Sequence, residues 1–329
     1  LALLLGLFPS LQLLTHWMVL MASFIHVGIV GWGMALILVV LAAFTLRRAA
    51  LAWFVVPLVV GLVWQVSWVV PWYRVDTAPH HSPLSLTVLN VHNGRADLDQ
   101  VIAHSAGSDV VVIVENPWDS YESLHERDFD ERFPHRMHSG VGAGRTSIYS
   151  RYPMKELGEG ETLFGSPLAR IDHVSGPILV LGAHPVNPTV GPRGWTQDAA
   201  ALRSLAQPYL DEPLIIAGDF NAIDRHATLR PLLEEDSLRS TAELTGAGLP
   251  RTWPAHGLGA WFGPLIGIDH VLVSPAMTAV THEEFRVTGT DHVGLRVTVA
   301  KRNDTPSGGD DTDQLGSADN DLADVAVAQ

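Results

Sequence analysis

A carboxylate and a carboxamide two residues apart follow the strongest strand-like run in the middle of the chain. Leu214 to Ala217 are β-formers that lead, through a glycine, to Asp219 and Asn221. Side chains two apart on an extended segment point the same way, so these two side chains can act on one reacting group. A strand that ends in an Asx turn has the same appearance, so this motif alone does not establish a site.

Polar side chains of similar type begin or end other apolar runs. The full set is Asn90, Glu115, His184, Asp219, Asn221, Asp269, Asp291 and His292. A packed sheet would bring several of them to one edge. Because buried carboxylates are unfavourable unless they are paired or bind a cation, the set predicts a metal site.

The types of these side chains indicate which ion would bind. Glu115, Asn90 and Asp291 offer hard oxygen ligands, and the chain has no cysteine. Such ligands favour Mg²⁺ or Mn²⁺ over zinc. The ion would bind a phosphate oxygen, neutralise charge and lower the pKa of a bound water.

The other members of the set suit the remaining steps of phosphoester hydrolysis. Asp269 can orient His292 and stabilise its charged form. Asp219 can accept a proton from the attacking water. Asn221 and His184 can donate hydrogen bonds to phosphoryl oxygens.

Several nearby residues have two interpretations. Trp253 and Trp261 either form an apolar lip for the substrate or cover the edge of a sheet. We interpret His92 as a surface residue that can line the cleft. Strand alternation points His270 away from its neighbour Asp269.

The elements predicted to position these side chains alternate between strands and helices. Strands are predicted at 84–91, 109–115, 145–150, 169–174, 177–183, 214–221, 268–274, 285–288 and 293–299. Helices are predicted at 97–106, with Asp97 as its cap, at 195–206 and at 227–233. A long loop rich in Gly, Pro and Trp is predicted at 245–267.

Charge is distributed unevenly along the 329 residues. No Asp, Glu, Lys or Arg occurs from 1 to 46, and only Arg47 and Arg48 are charged before Arg74. Subtracting these two from the net charge of −14 leaves −16 after Tyr73. This acidity disfavours a large electrostatic contact with nucleic acid without excluding it, because a bound metal supplies positive charge locally. Without cysteine, the sequence does not indicate a redox compartment.

Residues 25–46 and 49–70 are each apolar and long enough to cross a bilayer as a helix. The connecting Arg47 and Arg48 predict a cytoplasmic connection. Aromatic residues at the far end of the second helix are typical of an outer interface: Trp64, Trp68, Trp72 and Tyr73. We therefore expect a multi-pass protein of the cell membrane, with the part after Tyr73 outside the cytoplasm.

Four regions are expected. Residues 1–73 are a membrane region of two or three helices, since 1–8 can be the end of an earlier span, and 74–83 are a linker. Residues 84–300 form the catalytic domain, and 301–329 form a disordered acidic tail.

Six motifs in order resemble the endonuclease/exonuclease/phosphatase superfamily, whose members include deoxyribonuclease I-like nucleases. They are Leu-Asn-Val around Asn90, Val-Ile-Val-Glu ending at Glu115, Gly-Ala-His-Pro around His184, Gly-Asp-Phe-Asn at 218–221, Ile-Asp-His-Val at 268–271 and Thr-Asp-His at 290–292. The arrangement of apolar helices before this domain is similar to that of membrane-anchored bacterial members. One departure is Val293-Gly294, where family members often carry a proline.

The resemblance implies an α/β fold, namely a four-layer sandwich of two mixed β-sheets flanked by helices, with Mg²⁺-dependent phosphoester hydrolysis. It implies that Glu115 is the principal metal ligand, with Asn90 and Asp291 beside it. It further implies that Asp269 and His292 are the family's Asp-His pair and that Asp219 and Asn221 are its central pair. His184 corresponds to the histidine that many members place after the strand preceding the central one.

The leading hypothesis is a membrane-anchored, metal-dependent phosphoester hydrolase, phosphodiesterase- or nuclease-like, that acts outside the cytoplasm. Its substrate is a nucleic acid, a phospholipid or a small molecule, and its other partner is the bilayer; no protein partner is inferred. One alternative is a phospholipid or small-molecule phosphatase of the same fold, and another is a non-catalytic, membrane-tethered binding module. A transporter is disfavoured, since no span carries a charged residue.

Overall fold

A computed structural model describes residues 1–76, 78–127 and 129–303. The predicted acidic tail, apart from residues 301–303, lies outside the described residues. Residues 301 and 302 belong to the last strand of the domain.

The N-terminal region consists of four helices joined by 3₁₀ turns. The helices are α1 (Ala2–Leu7), α2 (His16–Ala22), α3 (Gly28–Thr45) and α4 (Val55–Val69), and the turns are Pro9–Leu14, Ile25–Val27, Ala49–Phe54 and Val70–Tyr73. By length and composition, Ile25–Thr45 and Ala49–Tyr73 can each cross a membrane. Helix α3 has no buried residue, and large apolar side chains such as Val30, Ile37 and Leu41 are exposed on it.

The rest of the chain contains two six-stranded sheets. The first contains β1 (His80–Asn90), β2 (Val110–Val114), β3 (His135–Ser139), β4 (Thr146–Ser150), β11 (Met277–Arg286) and β12 (Val293–Arg302). Its order is β11-β12-β1-β2-β4-β3. β1 and β2 are parallel, and the other neighbours are antiparallel.

The second sheet repeats this plan. It contains β5 (Met154–Glu159), β6 (Pro167–Ile171), β7 (Ile178–Ala183), β8 (Leu214–Asp219), β9 (Arg239–Ser240) and β10 (Asp269–Val273). Its order is β5-β6-β7-β8-β10-β9. Here β7 and β8 form the parallel pair. Each sheet is therefore mixed, with one parallel pair at its centre.

Helices α5 (Leu98–Ser105), α6 (Trp118–His125) and α7 (Phe129–Arg132) lie over the first sheet, and α8 (Pro192–Ala206) lies over the second. Two short helices, α9 (Thr241–Leu244) and α10 (Leu258–Phe262), lie in the connection between β9 and β10. Side chains of the α5 to α7 region pack on the first sheet, and α8 packs on the second. The predicted four-layer α/β sandwich is confirmed.

Strand β2 shows why the central strands are apolar on both faces. Val110, Val112 and Val114 pack in the core between the sheets. Val111 and Ile113 alternate with them and pack against the outer helices. Because successive side chains of a strand point to opposite faces, a strand covered on both sides needs a continuous apolar run.

Some elements differ from the predicted ones. The helix predicted at 227–233 is replaced by turns and one irregular helical turn at Pro231–Glu235, since proline lacks the N–H that a helix interior requires. Strand β11 begins at Met277, well before the predicted 285, because its middle is exposed and polar and gives little apolar signal. Strand β1 begins at His80, inside the predicted linker, where it pairs with the end of β12.

Candidate active site

The polar set lies at one edge of the sandwich. Asn90 ends β1 and Asp219 ends β8, while Glu115 and His184 directly follow β2 and β7. These four strands form the two parallel pairs, whose carboxyl ends meet at this edge. Antiparallel neighbours start where parallel strands end, which places Asp269 and His292 there too, at the starts of β10 and β12.

One amide links the acidic groups of the two sheets. Asn90 Nδ2 donates to Glu115 Oε1 and to Asp219 Oδ2, both at 3.1 Å. Asn90 Oδ1 accepts a hydrogen bond from the His92 backbone N–H at 2.9 Å. In this orientation the amide aligns the two carboxylates, and ligation of a cation by its oxygen would require the amide to rotate.

Two overlapping groups of side chains present atoms of the kind that bind metal ions. In the first group, ligand atoms of Glu115, His184 and Asp219 lie within 4.8 Å of one another, and in the second those of Asp219, Asp269 and His292 do so. Burial raises the pKa of Asp219 above its ordinary value, and the charge of Asp269 adds to the effect. A divalent cation would offset this repulsion, so the donor set fits a hard metal ion.

The second group contains a tightly held Asp-His pair. His292 Nδ1 lies 2.9 Å from Asp269 Oδ2 and 3.2 Å from Oδ1, and both residues are buried. Burial alone lowers the pKa of His292, but the carboxylates around it, Asp269 foremost, outweigh burial and raise the pKa to about 10. The imidazole is therefore charged at neutral pH, and its Nε2 lies 3.9 Å from Asp219 Oδ2.

Unlike His292, His184 is uncharged at neutral pH. Complete burial, together with the charge of His292, lowers its pKa to about 3. Its ring stacks on Phe164 with centroids 4.6 Å apart, and its Nε2 lies 4.0 Å from Glu115 Oε1. A neutral imidazole has one nitrogen able to accept and one N–H able to donate.

The strand predicted to reach 221 ends at Asp219, so Asn221 does not lie on the extended segment that the spacing predicted. The glycine before Asp219 and the turn after it place both side chains in the cleft. Asn221 has a positive φ of 49° and its backbone N–H donates to Asp219 Oδ1 at 2.8 Å. Its Nδ2 donates to the Pro185 carbonyl at 3.0 Å, which leaves the second N–H of the amide for another partner. Gly218 is required because a Cβ there would lie 2.0 Å from the Ala183 carbonyl oxygen.

Asp291 lies in the cleft beside the other acids. Its Oδ1 is 3.1 Å from His92 Nδ1, and its Oδ2 accepts a hydrogen bond from Trp253 Nε1 at 3.1 Å. Among the residues that the structure describes, it belongs to neither group of metal-binding atoms. His92 thus lines the cleft, and Trp253 contacts an acid of the site as well as lining the cavity.

Two buried threonines support the site and were not predicted. Thr252 Oγ1 accepts hydrogen bonds from the backbone N–H groups of Ile268 and Asp269. Thr290 Oγ1 donates to the Asn90 carbonyl and accepts from the His292 N–H. Thr290 stands in the Thr-Asp-His motif, but Thr252 had no sequence signal, since it acts on backbone groups distant in the chain.

The site opens into a cavity of about 520 Å³. It is lined by Glu115, His184, Asp219, Asn221, Asp291 and His292, together with Phe164, Trp253 and Arg95. Leu20 and Ser23 of the N-terminal region line it as well, which the sequence did not indicate. His270 points away, with its Nε2 2.9 Å from the Ala222 carbonyl, as strand alternation predicts.

The fold and the site define a class, that of four-layer α/β sandwiches with acids and histidines collected at the strand ends. Residues 87–292 match the model of the endonuclease/exonuclease/phosphatase family. The chain belongs to this family, whose members act on phosphoester bonds, and the resemblance inferred from the six motifs is confirmed.

Solved structures show the same fold. The 3'-5' exonuclease NExo from Neisseria meningitidis is 19% identical with a TM-score of 0.54, covering 67% of this chain and 100% of that chain. A humanized TDP2 from D. rerio is 19% identical with a TM-score of 0.53 and the same coverage. The endonuclease/exonuclease/phosphatase from Beutenbergia cavernae is 18% identical with a TM-score of 0.51, covering 68% and 72%. The search of curated proteins finds no match.

Proposed function

We propose that this protein is a membrane-anchored, divalent-metal-dependent phosphoester hydrolase that acts outside the cytoplasm. The observation that carries the proposal is the convergence of acids and imidazoles from both sheets on one cavity. Membership of the endonuclease/exonuclease/phosphatase family supports the same reaction class.

Glu115 is the central residue of the proposed metal site. Asn90 and Asp291 are its proposed companions, and Asp219 and His184 lie within reach of the same carboxylate. A bound Mg²⁺ or Mn²⁺ would supply positive charge to the phosphoryl oxygens and acidify water.

The chain's own side chains account for the proton movements of hydrolysis. The raised pKa of Asp219 suits a carboxylate that takes a proton from water near neutral pH. The charged His292, oriented by Asp269, donates a hydrogen bond to a non-bridging phosphoryl oxygen. The remaining N–H groups of Asn221 and His184 donate to the phosphoryl group from the other side. Water oxygen bonds to phosphorus as its proton passes to Asp219, and the ester P–O bond breaks. The leaving oxygen takes up a proton from solvent, and Asp219 releases its proton to solvent.

A nucleic acid is one candidate substrate. One solved TDP2 structure holds a single-strand DNA product, and one NExo structure holds a product DNA hairpin. Their likeness to this chain, at 17% and 19% identity, supports a nuclease only as a proposal.

The membrane anchor is proposed from the N-terminal helices. Helix α3 is apolar all round and has no buried residue, whereas a core helix of a soluble protein with this composition would be buried. Arg47 and Arg48 lie in the connection before α4, which supports a cytoplasmic connection and an extracytoplasmic domain.

The side of the membrane is tested by cysteine labelling. The chain has no cysteine, so Val174→Cys adds one exposed thiol to the domain. We expect a membrane-impermeant maleimide to label it in intact cells. Labelling only after lysis would place the domain in the cytoplasm.

The reaction is tested with bis(p-nitrophenyl) phosphate and the purified full-length protein. We expect hydrolysis with Mg²⁺ or Mn²⁺ and its loss with EDTA. Glu115→Gln should lower the rate by about 10³-fold or more, since it removes the central acid of the site. The matched control Glu131→Gln, on the exposed face of α7, should keep the wild-type rate. An active Glu115→Gln enzyme would contradict the proposed site.

A further inference from the structure

The cavity of the active site is completed by the N-terminal region. Its walls include Leu20 from α2 and Ser23 from the turn that follows α2. Only one residue separates Ser23 from Ile25, where the first apolar stretch begins. The acids of the site and the start of a candidate span therefore border the same cavity.

The N-terminal region is fixed to the domain by specific contacts. Gln12 Nε2 donates to the Arg225 carbonyl at 2.9 Å, and Gln12 Oε1 accepts from the Ala227 N–H at 3.0 Å. Gln12 is fully buried, and Val19 belongs to the same buried cluster as Trp195 of α8. The wall formed by Leu20 is thus part of the packed domain.

A smaller cavity of about 220 Å³ lies between the active-site cavity and the apolar helices. It shares the residues Ser23 and Ile266 with the larger cavity. Its other walls include Ile29 and Val30 of α3 and Val69 of α4. The two side chains shared by the cavities are therefore the boundary between the active site and the surface that we assign to the bilayer.

Exposed apolar side chains occur in both segments that line the smaller cavity, and Phe24 and Leu265 line the cavity itself. We call them the apolar strip: Trp17, Met21 and Phe24 from the N-terminal region, Trp261 and Phe262 from α10, and Leu265 from the segment after α10. Trp261 and Phe262 are 86% and 76% exposed. Exposed apolar side chains of this kind, which at Phe24 directly precede the apolar stretch Ile25–Thr45, are typical of a membrane-contacting surface.

The charges of the domain favour a lipid over a polynucleotide. Among the residues that the structure describes, Arg95 is the only Lys or Arg that lines the larger cavity. One arginine suffices for a single phosphate group, whereas binding along a nucleic acid backbone needs many cations. Residues 74–303 carry a net charge of −9, which follows from the −14 of the whole chain when Arg47, Arg48 and the seven aspartates after Asn303 are left out.

We infer that the active site opens at the bilayer surface and hydrolyses a phosphoester-bearing lipid that resides in the membrane. The apolar strip contacts the acyl region, and the headgroup phosphate enters the cavity past Leu20 and Ser23. Hydrolysis adds water across the phosphoester bond and needs no further reactant. This inference rests on the proposed function and names its substrate class.

The position of the apolar strip is tested without reference to activity. Phe262→Cys introduces a single thiol into the full-length protein, which is labelled with the polarity-sensitive dye NBD and reconstituted in vesicles of phosphatidylethanolamine and phosphatidylglycerol. Val174→Cys is the matched control, because Val174 is as exposed but precedes β7, whose other end carries His184. We expect a blue-shifted emission and quenching by nitroxide lipids at position 262 only. Equal exposure of both dyes to water would overturn the inference.

The substrate class is tested with the same vesicles, extended with phosphatidylinositol. Release of water-soluble phosphate compounds is compared with hydrolysis of bis(p-nitrophenyl) phosphate and of a DNA oligonucleotide. We expect vesicle lipid to be hydrolysed faster than DNA. Combining Trp261→Ser with Phe262→Ser should lower the lipid rate about tenfold relative to the rate on the soluble ester. Val174→Ser should keep the wild-type ratio.

The outcomes separate the two proposals. Hydrolysis of the soluble ester and DNA without hydrolysis of lipid would overturn the lipid inference and leave the proposed function standing. If the metal-loaded protein hydrolysed none of the three substrates, the proposed function would fall, and the lipid inference with it.

Discussion

Two regions of the molecule are held together by different kinds of contact. One is the edge of the sandwich where the strands carry the active-site residues, which we call the strand-end edge, and the other is the hairpin formed by α3 and α4. At the edge, polar side chains from distant segments contact one another: Asn90 lies 3.1 Å from the carboxylates of Glu115 and Asp219, which are 25 and 129 residues away in the chain. In the hairpin, two neighbouring apolar helices pack on each other. A Cβ on Gly61 of α4 would lie 2.8 Å from the Trp32 ring of α3, so the helices approach closely there.

The two regions therefore differ in how strictly their structure requires particular side chains. The edge needs particular side chains, because each one orients or charges another across the two sheets. The hairpin needs a general apolar character and a few small residues, and many substitutions preserve both. We therefore expect conservative changes at the edge to alter chemistry strongly and conservative changes on the hairpin to alter little.

The largest expected effect follows from Asp269→Asn. The change removes the charge that does most to raise the pKa of His292, and it replaces an acceptor for its Nδ1. We expect the hydrolysis rate to fall about 10²- to 10⁴-fold, by analogy with the loss of the orienting acid in other Asp-His pairs. Steady-state hydrolysis of bis(p-nitrophenyl) phosphate measures it.

The control for this variant is Asp119→Asn on the exposed side of α6. It should keep the wild-type rate. Circular dichroism should show that Asp269→Asn remains folded, because the two side chains are nearly equal in volume. If folded Asp269→Asn hydrolysed the ester at the wild-type rate, the Asp269–His292 pair would have no part in the reaction.

The edge was largely predictable from the sequence, and the reason lies in strand periodicity. Glu115 follows five consecutive apolar residues of β2, and Asp219 ends the apolar β8, so their positions at strand ends were visible. The contributions of Thr252 and Ser23 were not visible, because each depends on a fold that brings distant backbone segments together. The length of exposed, polar strands such as β11 was also predicted too short, since such strands lack an apolar run.

An intermediate effect on stability is expected from a half-buried histidine outside the active-site edge. Burial, with a contribution from His270, lowers the pKa of His282 to about 4, whereas an unfolded histidine titrates near 6.5. The unfolded chain therefore binds more protons between these values, and stability falls as the pH drops from about 6.5 toward 4. At pH 5 the loss amounts to about 2 kcal/mol.

Comparison with His282→Asn isolates this contribution from those of other titrating groups. The melting temperature of the full-length protein in detergent should fall more between pH 7 and pH 5 in the wild type than in the variant. The difference should be about 4 to 8 °C. An identical pH dependence in both proteins would show that His282 is not held neutral.

The smallest expected effect is on stability, and it compares a substitution in α2 with one in α3. Val19 of α2 is fully buried in the cluster that contains Trp195, whereas Ile37 of α3 is exposed. Val19→Ala should destabilise the protein by about 1 to 2 kcal/mol, since it removes two buried methyl groups from a packed core. Ile37→Ala should change the melting temperature in detergent little. Equal effects would mean that α2 belongs with the membrane helices rather than with the domain.

The central claim, that the strand-end edge binds one hard divalent cation, is tested most directly by Mn²⁺ binding. Electron paramagnetic resonance of free Mn²⁺ during titration of the purified full-length protein gives the bound fraction. The account predicts saturable binding that Mg²⁺ displaces, and an affinity at least about tenfold lower in Glu115→Gln. Wild-type protein that binds no Mn²⁺, or equal binding by wild type and Glu115→Gln, would contradict it.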